Sequence, residues 1–271
     1  MTIKLIAIDI DGTLVDDQKE IAPETIATIK AAKAAGIRVV LCTGRPLTGV
    51  TKYLEKLDLT TDDDFVITFN GALVQVSGTG ESLIHHTLDI NDYHLLEEAS
   101  RELNVHMHAE DQKLMYTPNA DISEYTVAES FLVQMPLRFR KPEEMPKDIV
   151  ISKIMYIDYP EVITRVVNAL PAKIANNYYY VQSEPFFLEL LNKNASKGNA
   201  VMGLAEKLGI KKEEVMALGD QGNDLSMMQA VGFGVAMGNA IQEVKDSAKA
   251  VTATNVELGV AKAIQKYALN N

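Results

Sequence analysis

The chain opens with a dense apolar run from Leu5 to Ile10, the pattern of a strand buried on both faces in a parallel sheet. Pro23 then stands where a helix can begin, with Ile26 and Ile29 three apart and alanines filling the segment to Ala35. Gly36 closes this predicted helix, because glycine accepts positive φ without steric cost. Residues 37–41 predict a second buried strand, 48–57 a helix and 65–69 a third strand. Apolar strands alternating with helices predict an α/β sheet covered on both faces. The rhythm returns towards the C-terminus. A helix is predicted over 196–208, closed by Gly209, and a strand over 215–218 that ends at Gly219-Asp220. A short helix over 223–229, a short strand over 234–236 and a helix over 256–267 follow.

Between Leu83 and Pro185 the pattern changes. Tyr, His and Met thicken, and all five histidines fall here: His85, His86, His94, His106 and His108. The spacing predicts a helix over 92–103, strands over 113–117 and 152–158, a helix over 161–170, and strands over 173–182 and 186–191. A loop-rich stretch containing Pro136, Pro142 and Pro146 separates the first helix from Ser152. These strands alternate in polarity, which predicts a sheet with one solvated face. The pattern therefore reads as an α+β domain inserted over 84–191, dividing a core made of 1–83 and 192–271. No solenoid-period repeat and no low-complexity segment is present.

Composition agrees with that division and narrows the function classes. At 271 residues the chain sits near the size where one core splits into two. Lys+Arg 26 against Asp+Glu 37 gives a formal charge of -11, with no basic run, which argues against nucleic acid as partner. Small anions held by local donors remain compatible. Cys42 stands alone, so there is no internal disulfide framework, which fits a reducing compartment. The first apolar stretch is short and soon acidic, unlike a signal peptide, and no run of 18 apolar residues occurs. The expected location is the cytoplasm, with no membrane partner.

Four clusters carry candidate chemistry, and each follows a predicted strand, where ligands of open α/β sheets bind. Asp9-Ile10-Asp11-Gly12-Thr13 places two carboxylates beyond a strand tip. Holding them together there is costly without a compensating cation or proton, and Mg²⁺ favours such hard oxygen ligands. The alternative is a pair that merely caps the strand. Cys42-Thr43-Gly44-Arg45 offers a hydroxyl and an unobstructed N–H for a phosphate oxygen, with Arg45 contacting substrate or bracing the loop. Cys42 itself reads as a buried apolar-like residue. Lys197-Gly198 begins a helix, a place the helix dipole does not favour for a cation, so a phosphate-holding role gains weight over a solvated one. Gly219-Asp220-Gln221-Gly222-Asn223-Asp224 supplies further acids after a strand. Acids, a hydroxyl, a lysine and glycine turns, with no histidine in either core segment, suit Mg²⁺ and phosphoryl transfer.

In this order, with an insert after the third strand, the clusters resemble the haloacid dehalogenase-like superfamily, and within it the Cof-type sugar phosphatases with a type IIB cap. The resemblance spans essentially the whole chain. It implies a Rossmann-like three-layer core with a parallel sheet, carrying an inserted cap that governs specificity. It implies that Asp9 is the nucleophile and an Mg²⁺ ligand, and that Asp11 is the general acid/base with its backbone carbonyl on the metal. Thr43, Gly44, Lys197 and Asn223 would hold phosphate, Asp220 would bind Mg²⁺, and Asp224 would support the metal site. Gly12 and Thr13 would shape the first turn, and the Asn70-Gly71 loop would be structural or near substrate. The implied substrates are sugar phosphates and related small phosphorylated metabolites, turned over by a monomer or homodimer. Within the cap, His85, His86, His106 and His108, with Tyr178, Tyr179 and Tyr180, are candidate sugar contacts, although a place in the cap core or on its surface accounts better for any single one. A phosphomutase of the phosphomannomutase type shares this cap and first motif. A receiver-like, non-catalytic phosphate-binding regulator shares the cluster of acids, Thr and Lys. A dehalogenase fits less well, because the fourth cluster's acids serve phosphate better than a neutral halide.

Overall fold

The protein, described here as a computed structural model over residues 2–270, folds into two compact units. In chain order the elements begin β1 (Leu5–Ile8), α1 (Pro23–Ala34), β2 (Arg38–Cys42), α2 (Thr51–Lys56), β3 (Phe65–Thr68), β4 (Leu73–Val76) and β5 (Ser82–His85). There follow α3 (Ile90–Glu102), β6 (Met107–Glu110), β7 (Met115–Thr117), α4 (Glu124–Val133), β8 (Leu137–Phe139) and β9 (Lys153–Ile157). Next come α5 (Pro160–Asn168), α6 (Ala172–Ala175), β10 (Tyr178–Glu184) and β11 (Phe187–Asn192). The chain closes with α7 (Lys197–Lys207), β12 (Val215–Gly219), α8 (Leu225–Ala230), β13 (Phe233–Ala236), α9 (Gln242–Ser247), β14 (Ala250–Val251) and α10 (Gly259–Ile264).

The core unit takes the chain to Gly44, Val50–Ile84 and everything from Ser196 onward. Its sheet has the order β14-β13-β12-β1-β2-β3-β4-β5. From β14 to β3 the strands are parallel, and β4 then runs antiparallel to β3. Strand β1, Leu-Ile-Ala-Ile, is fully buried, as its unbroken apolar run requires when both faces of a parallel sheet are covered. It pairs with β2 on one side and with β12 on the other, Leu5 standing opposite both Arg38 and Val215. The connections leave β1 in opposite directions along the sheet, which makes its carboxyl end a topological switch point, where such sheets bind ligands.

The inserted unit comprises Arg45–Gly49 and His85–Ala195. Its sheet has the order β10-β11-β9-β6-β7-β8, antiparallel except between β7 and β8. Helix α3 starts with a capping box. Asp89 accepts from the N–H groups of Asn91 and Asp92, and Asp92 accepts from the N–H of Asp89, an arrangement that stabilises a helix start by about 1 kcal/mol. Tyr93 and Leu96 of α3 join Ile163 and Val166 of α5 in packing on Ile154, Tyr156, Leu188 and Leu190 of the sheet.

The opposite sheet face differs from the solvated one that the sequence predicts. His108, Glu110, Lys153 and Glu189 all lie on it, and all are buried. The Lys153 ammonium lies 3.5 Å from Glu110 Oε1 and 3.4 Å from Glu189 Oε2, and His108 Nε2 lies 3.1 Å from Glu110 Oε1. Burial opposes the Lys153 charge, but Glu110 and Glu189 outweigh it and hold the ammonium above its ordinary pKa. These polar side chains create the alternation along the strands, yet they pair with one another instead of with water. Within the stretch predicted to be loop-rich the structure forms β6, α4 and β8, and over 173–182 a helical turn, α6, precedes a strand that starts only at Tyr178.

Glu129 of α4 joins this buried network. Burial is the main cause that pushes its pKa up to about 7, with Glu110 and Glu189 adding to it against Lys153 and Arg45. The folded state therefore keeps this proton up to about pH 7, whereas the unfolded chain releases it near its ordinary value of 4.5. A raised carboxyl pKa contributes stability at low pH that is lost as pH rises across that window. Denaturant unfolding should accordingly show Glu129→Gln equal to the parent near pH 4.5 and more stable above about pH 7, by at most about 3 kcal/mol. A difference that does not change with pH would contradict this account.

Candidate active site

Three chain segments converge on the carboxyl end of β1. Asp9 directly follows β1 and donates its N–H to Leu218 O at 3.0 Å, while Asp220 follows β12, the parallel neighbour. Lys197 is the first residue of α7, whose N-cap Ser196 accepts from the N–H of Asn199. Asp224 ends the turn after β12. Its Oδ2 accepts from the N–H groups of Asp220 at 2.8 Å and Gln221 at 3.1 Å, so the loop folds around one carboxylate oxygen and leaves the other for Lys197. The Lys197 ammonium, fully buried, donates to Asp9 Oδ1 at 2.6 Å and Asp224 Oδ1 at 2.7 Å. Thr13 Oγ1 donates to Asp220 Oδ1 at 2.8 Å. Each of Asp9, Asp220 and Asp224 presents an oxygen within 4.8 Å of the others.

The first turn can make this approach only with glycine. Gly12 has φ +76°, and a Cβ there would lie 2.4 Å from Asp220 Oδ2. Asn239 fixes the turn from outside by donating to Gly12 O at 2.8 Å.

One ammonium does not neutralise three buried carboxylates. Burial above all, and then Asp224 and Asp220, drive the Asp9 pKa well above the ordinary carboxylate value despite the opposing pull of Lys197. Burial and Asp224 likewise push Asp220 up to about 6. Burial works against the charge on Lys197, but Asp224 and Asp9 outweigh it and hold the ammonium firmly protonated. A set of hard carboxylate oxygens with surplus negative charge is matched to a small divalent cation, and these residues fit one.

Other residues singled out from the sequence fall into distinct places. The Asp11 carboxylate turns to Lys19, 2.7 Å away, so Asp224 and not Asp11 supplies the third carboxylate of the cluster. Thr43 is buried at the end of β2, and its carbonyl accepts the N–H of Asn70, lacing the β2 and β3 tips together at 2.9 Å. Asn223 donates to Asn70 Oδ1 at 3.1 Å. Arg45 lies in the inserted unit, where its guanidinium donates to Gly49 O at 3.3 Å and bears on Glu129. Cys42 is buried, and burial raises its thiol pKa far above the reactive range. In the inserted unit His106 pairs with Asp158 at 2.7 Å, Tyr178 donates to Asp92 at 2.7 Å, and His85 lies 3.2 Å from Ser152. Lys19 and Asn239 escape the sequence reading. Lys19 carried a weak signal, as a cation in the polar loop just beyond the first acidic pair.

Comparison with known proteins agrees with this geometry. The family model of haloacid dehalogenase-like hydrolases matches residues 6–264. YxeH of Bacillus subtilis is 50% identical over 266 residues, covering 98% of each chain. The 5-amino-6-(5-phospho-D-ribitylamino)uracil phosphatase YcsE of the same organism is 33% identical, over 98% of this chain and 96% of that one. Among solved structures, a haloacid dehalogenase-like hydrolase from Bacteroides thetaiotaomicron has TM-score 0.85 at 32% identity, covering 98% and 99% of the two chains. The HAD subclass IIB sugar phosphatase BT4131 has TM-score 0.81 at 27% identity, covering 97% and 98%.

The charge imbalance is directly testable through stability. Titrating Mg²⁺ into the protein should raise its thermal midpoint, with a gain of about 2.7 kcal/mol at a hundredfold excess over Kd. Asp220→Asn should abolish most of that gain. A parent protein whose melting is indifferent to Mg²⁺ would show that the acids serve some other purpose.

Proposed function

Because the chain belongs to the haloacid dehalogenase-like hydrolases, with a IIB-like inserted cap, we propose that it is an Mg²⁺-dependent phosphatase of sugar phosphates and related small phosphorylated metabolites, acting through a phosphoryl group carried on Asp9. The observation that carries this reading is the Asp9 carboxylate, buried at the β1 tip and held 2.6 Å from the Lys197 ammonium inside a three-acid cluster.

A carboxylate can approach a phosphate dianion only where positive charge offsets their repulsion. Lys197 supplies one such charge. Mg²⁺ bound by Asp9, Asp220 and the Asp11 backbone carbonyl, with Asp224 in support, would supply the rest. An Asp9 oxygen attacks phosphorus in line, and the bond from phosphorus to the ester oxygen breaks as Asp11 delivers a proton to the departing alcohol. Water then attacks the phosphorus of the aspartyl phosphate and gives its proton to Asp11. Inorganic phosphate leaves, Asp9 is restored, and Asp11 is ready to donate again. Two acids are needed because one is occupied as the covalent arm. Asp11 suits the proton-handling role, since its side chain is the more exposed of the two, 34% against 7% for Asp9. Thr43, Gly44 and Asn223 act as donors to the phosphoryl oxygens, in a reaction dominated by positioning and electrostatics.

The inserted unit, expected over 84–191, selects among esters. Support comes from the compounds named for the relatives: one is a sugar phosphatase, and another acts on a phosphorylated ribityl chain. Both point to a polyhydroxylated alcohol as the leaving group. A phosphate-release screen over sugar phosphates, polyol phosphates and nucleotides, with and without Mg²⁺, tests the assignment. Asp9→Asn should reduce turnover to background, and Asp11→Asn should lower kcat about 10²- to 10⁴-fold. Near-parental release of phosphate by Asp9→Asn would refute the covalent route.

A further inference from the structure

The loop after β3 carries backbone strain that its role as a connection does not require. Three successive residues have positive φ: Phe69 at 51°, Asn70 at 51° and Gly71 at 92°. Two of them are not glycine, and L residues in this region cost roughly 1–2 kcal/mol each, asparagine least among them. Packing from three sides enforces the conformation. The Asn70 N–H donates to Thr43 O at 2.9 Å, and Phe69 is buried. Gly71 sits so tightly on the start of α7 that a Cβ would lie 2.1 Å from Ser196 O and 2.8 Å from Lys197 N.

What the strain achieves is a side-chain position. The Asn70 side chain is 1% exposed, and its Oδ1 accepts from Asn223 Nδ2. That bond fixes the amide plane and turns Nδ2 the other way, where it has no hydrogen-bond partner. There Nδ2 faces Gly44, and a Cβ on Gly44 would lie only 2.9 Å from it. Gly44 and Asn223, on its two sides, are both partly open to solvent. An unsatisfied buried amide costs about 1–3 kcal/mol. A clamp between two loops does not explain that cost. Glycine would keep this conformation and the backbone bond to Thr43 without burying an orphaned donor.

We propose that Asn70 is a phosphate-contacting residue, whose side-chain N–H, aimed by Asn223 and admitted by the missing side chain of Gly44, donates to an oxygen of the transferring phosphoryl group. The inference deepens the phosphatase reading and rests on it. It also gives Asn223 a second role, as the residue that orients this donor. The donor is neutral, so it gathers negative charge developing on oxygen without competing with Lys197 for the acids.

Two variants separate this role from a structural one. Asn70→Gly keeps the backbone conformation and removes the amide, while Asn70→Asp keeps shape, backbone and the bond from Asn223 but replaces the donor by an acceptor. Asn70→Gly should melt within a few degrees of the parent, and Asn70→Asp lower, because its added carboxylate is buried and unpaired. Both should lose about 10²- to 10³-fold in kcat/KM, mostly in kcat, as when one oxyanion donor is removed. Both should also weaken inhibition by orthovanadate, which mimics the five-coordinate phosphoryl group, by a comparable factor. Asn223→Ala should cost less on the Asn70→Gly background than in the parent, because the part of its effect that runs through orienting Asn70 is already lost there. The proposal is overturned if either variant keeps kcat/KM and vanadate inhibition within about threefold of the parent, or if activity falls only in step with thermal stability. Calorimetric binding of inorganic phosphate in the presence of Mg²⁺ requires no turnover. It reports on Asn70 even if the screen finds no ester that the parent hydrolyses, an outcome that would sink the phosphatase reading instead.

Discussion

The site is organised by one buried ammonium. Lys197 lies between Asp9 and Asp224, and without it three carboxylates would share a nearly water-free pocket. Leaving buried charge unpaired is strongly destabilising, on the order of 3–5 kcal/mol for a single broken pair. The parallel pairing of β1 with β12, the start of α7 at Lys197, the bonds from the Asp220 and Gln221 N–H groups to Asp224 Oδ2 and the bare Cα of Gly12 all bring these groups within reach of that single cation. Lys197 compensates them only in part. The negative charge that remains is what adapts the cluster to a divalent cation and, with it, to phosphate.

The inserted unit holds a second buried charge network of different balance. Glu110 and Glu189 face Lys153, and Arg45 opposes Glu129, whose own proton stays on up to about neutral pH. Charges there nearly cancel, so the network has no call on a metal. The contrast is instructive, because both clusters are carboxylate-rich and buried. Only the core cluster combines surplus negative charge with an arrangement of several oxygens around one point. Surplus charge, more than the number of acids, marks a cation site.

Around the acids, the loops at the β2 and β3 tips hold each other in shape through backbone bonds, and the loop after β12 reaches them through Asn223. Strain is concentrated at 69–71, while Asp9 and Asp220 directly follow strands and Asp224 ends a turn, all with ordinary backbone. This division of labour separates charge, which the strand ends and α7 position, from directional hydrogen bonding, which the loops provide. A phosphoryl group changes geometry during transfer, so directional donors matter most at that stage.

The sequence by itself determined the core sheet, because β1, β2, β3 and β12 are buried on both faces along nearly all their length and are therefore apolar except at Arg38 and Thr68. It also pointed to the acids that the fold gathers around Lys197, since each stands at or shortly after the end of such a strand. It misjudged the insert, where β6 and β9 carry His108, Glu110 and Lys153 on a face that is polar in composition yet closed to water. Hydropathy records the chemical type of a side chain and is blind to whether its charge is met by another protein group. The partnerships of Asn70 with Asn223 and Thr13 with Asp220, 153 and 207 residues apart, were likewise decided by tertiary structure alone. Hydrogen bonds act over about 3 Å, so contacts this distant along the chain exist only once the sheet has brought its strand ends together.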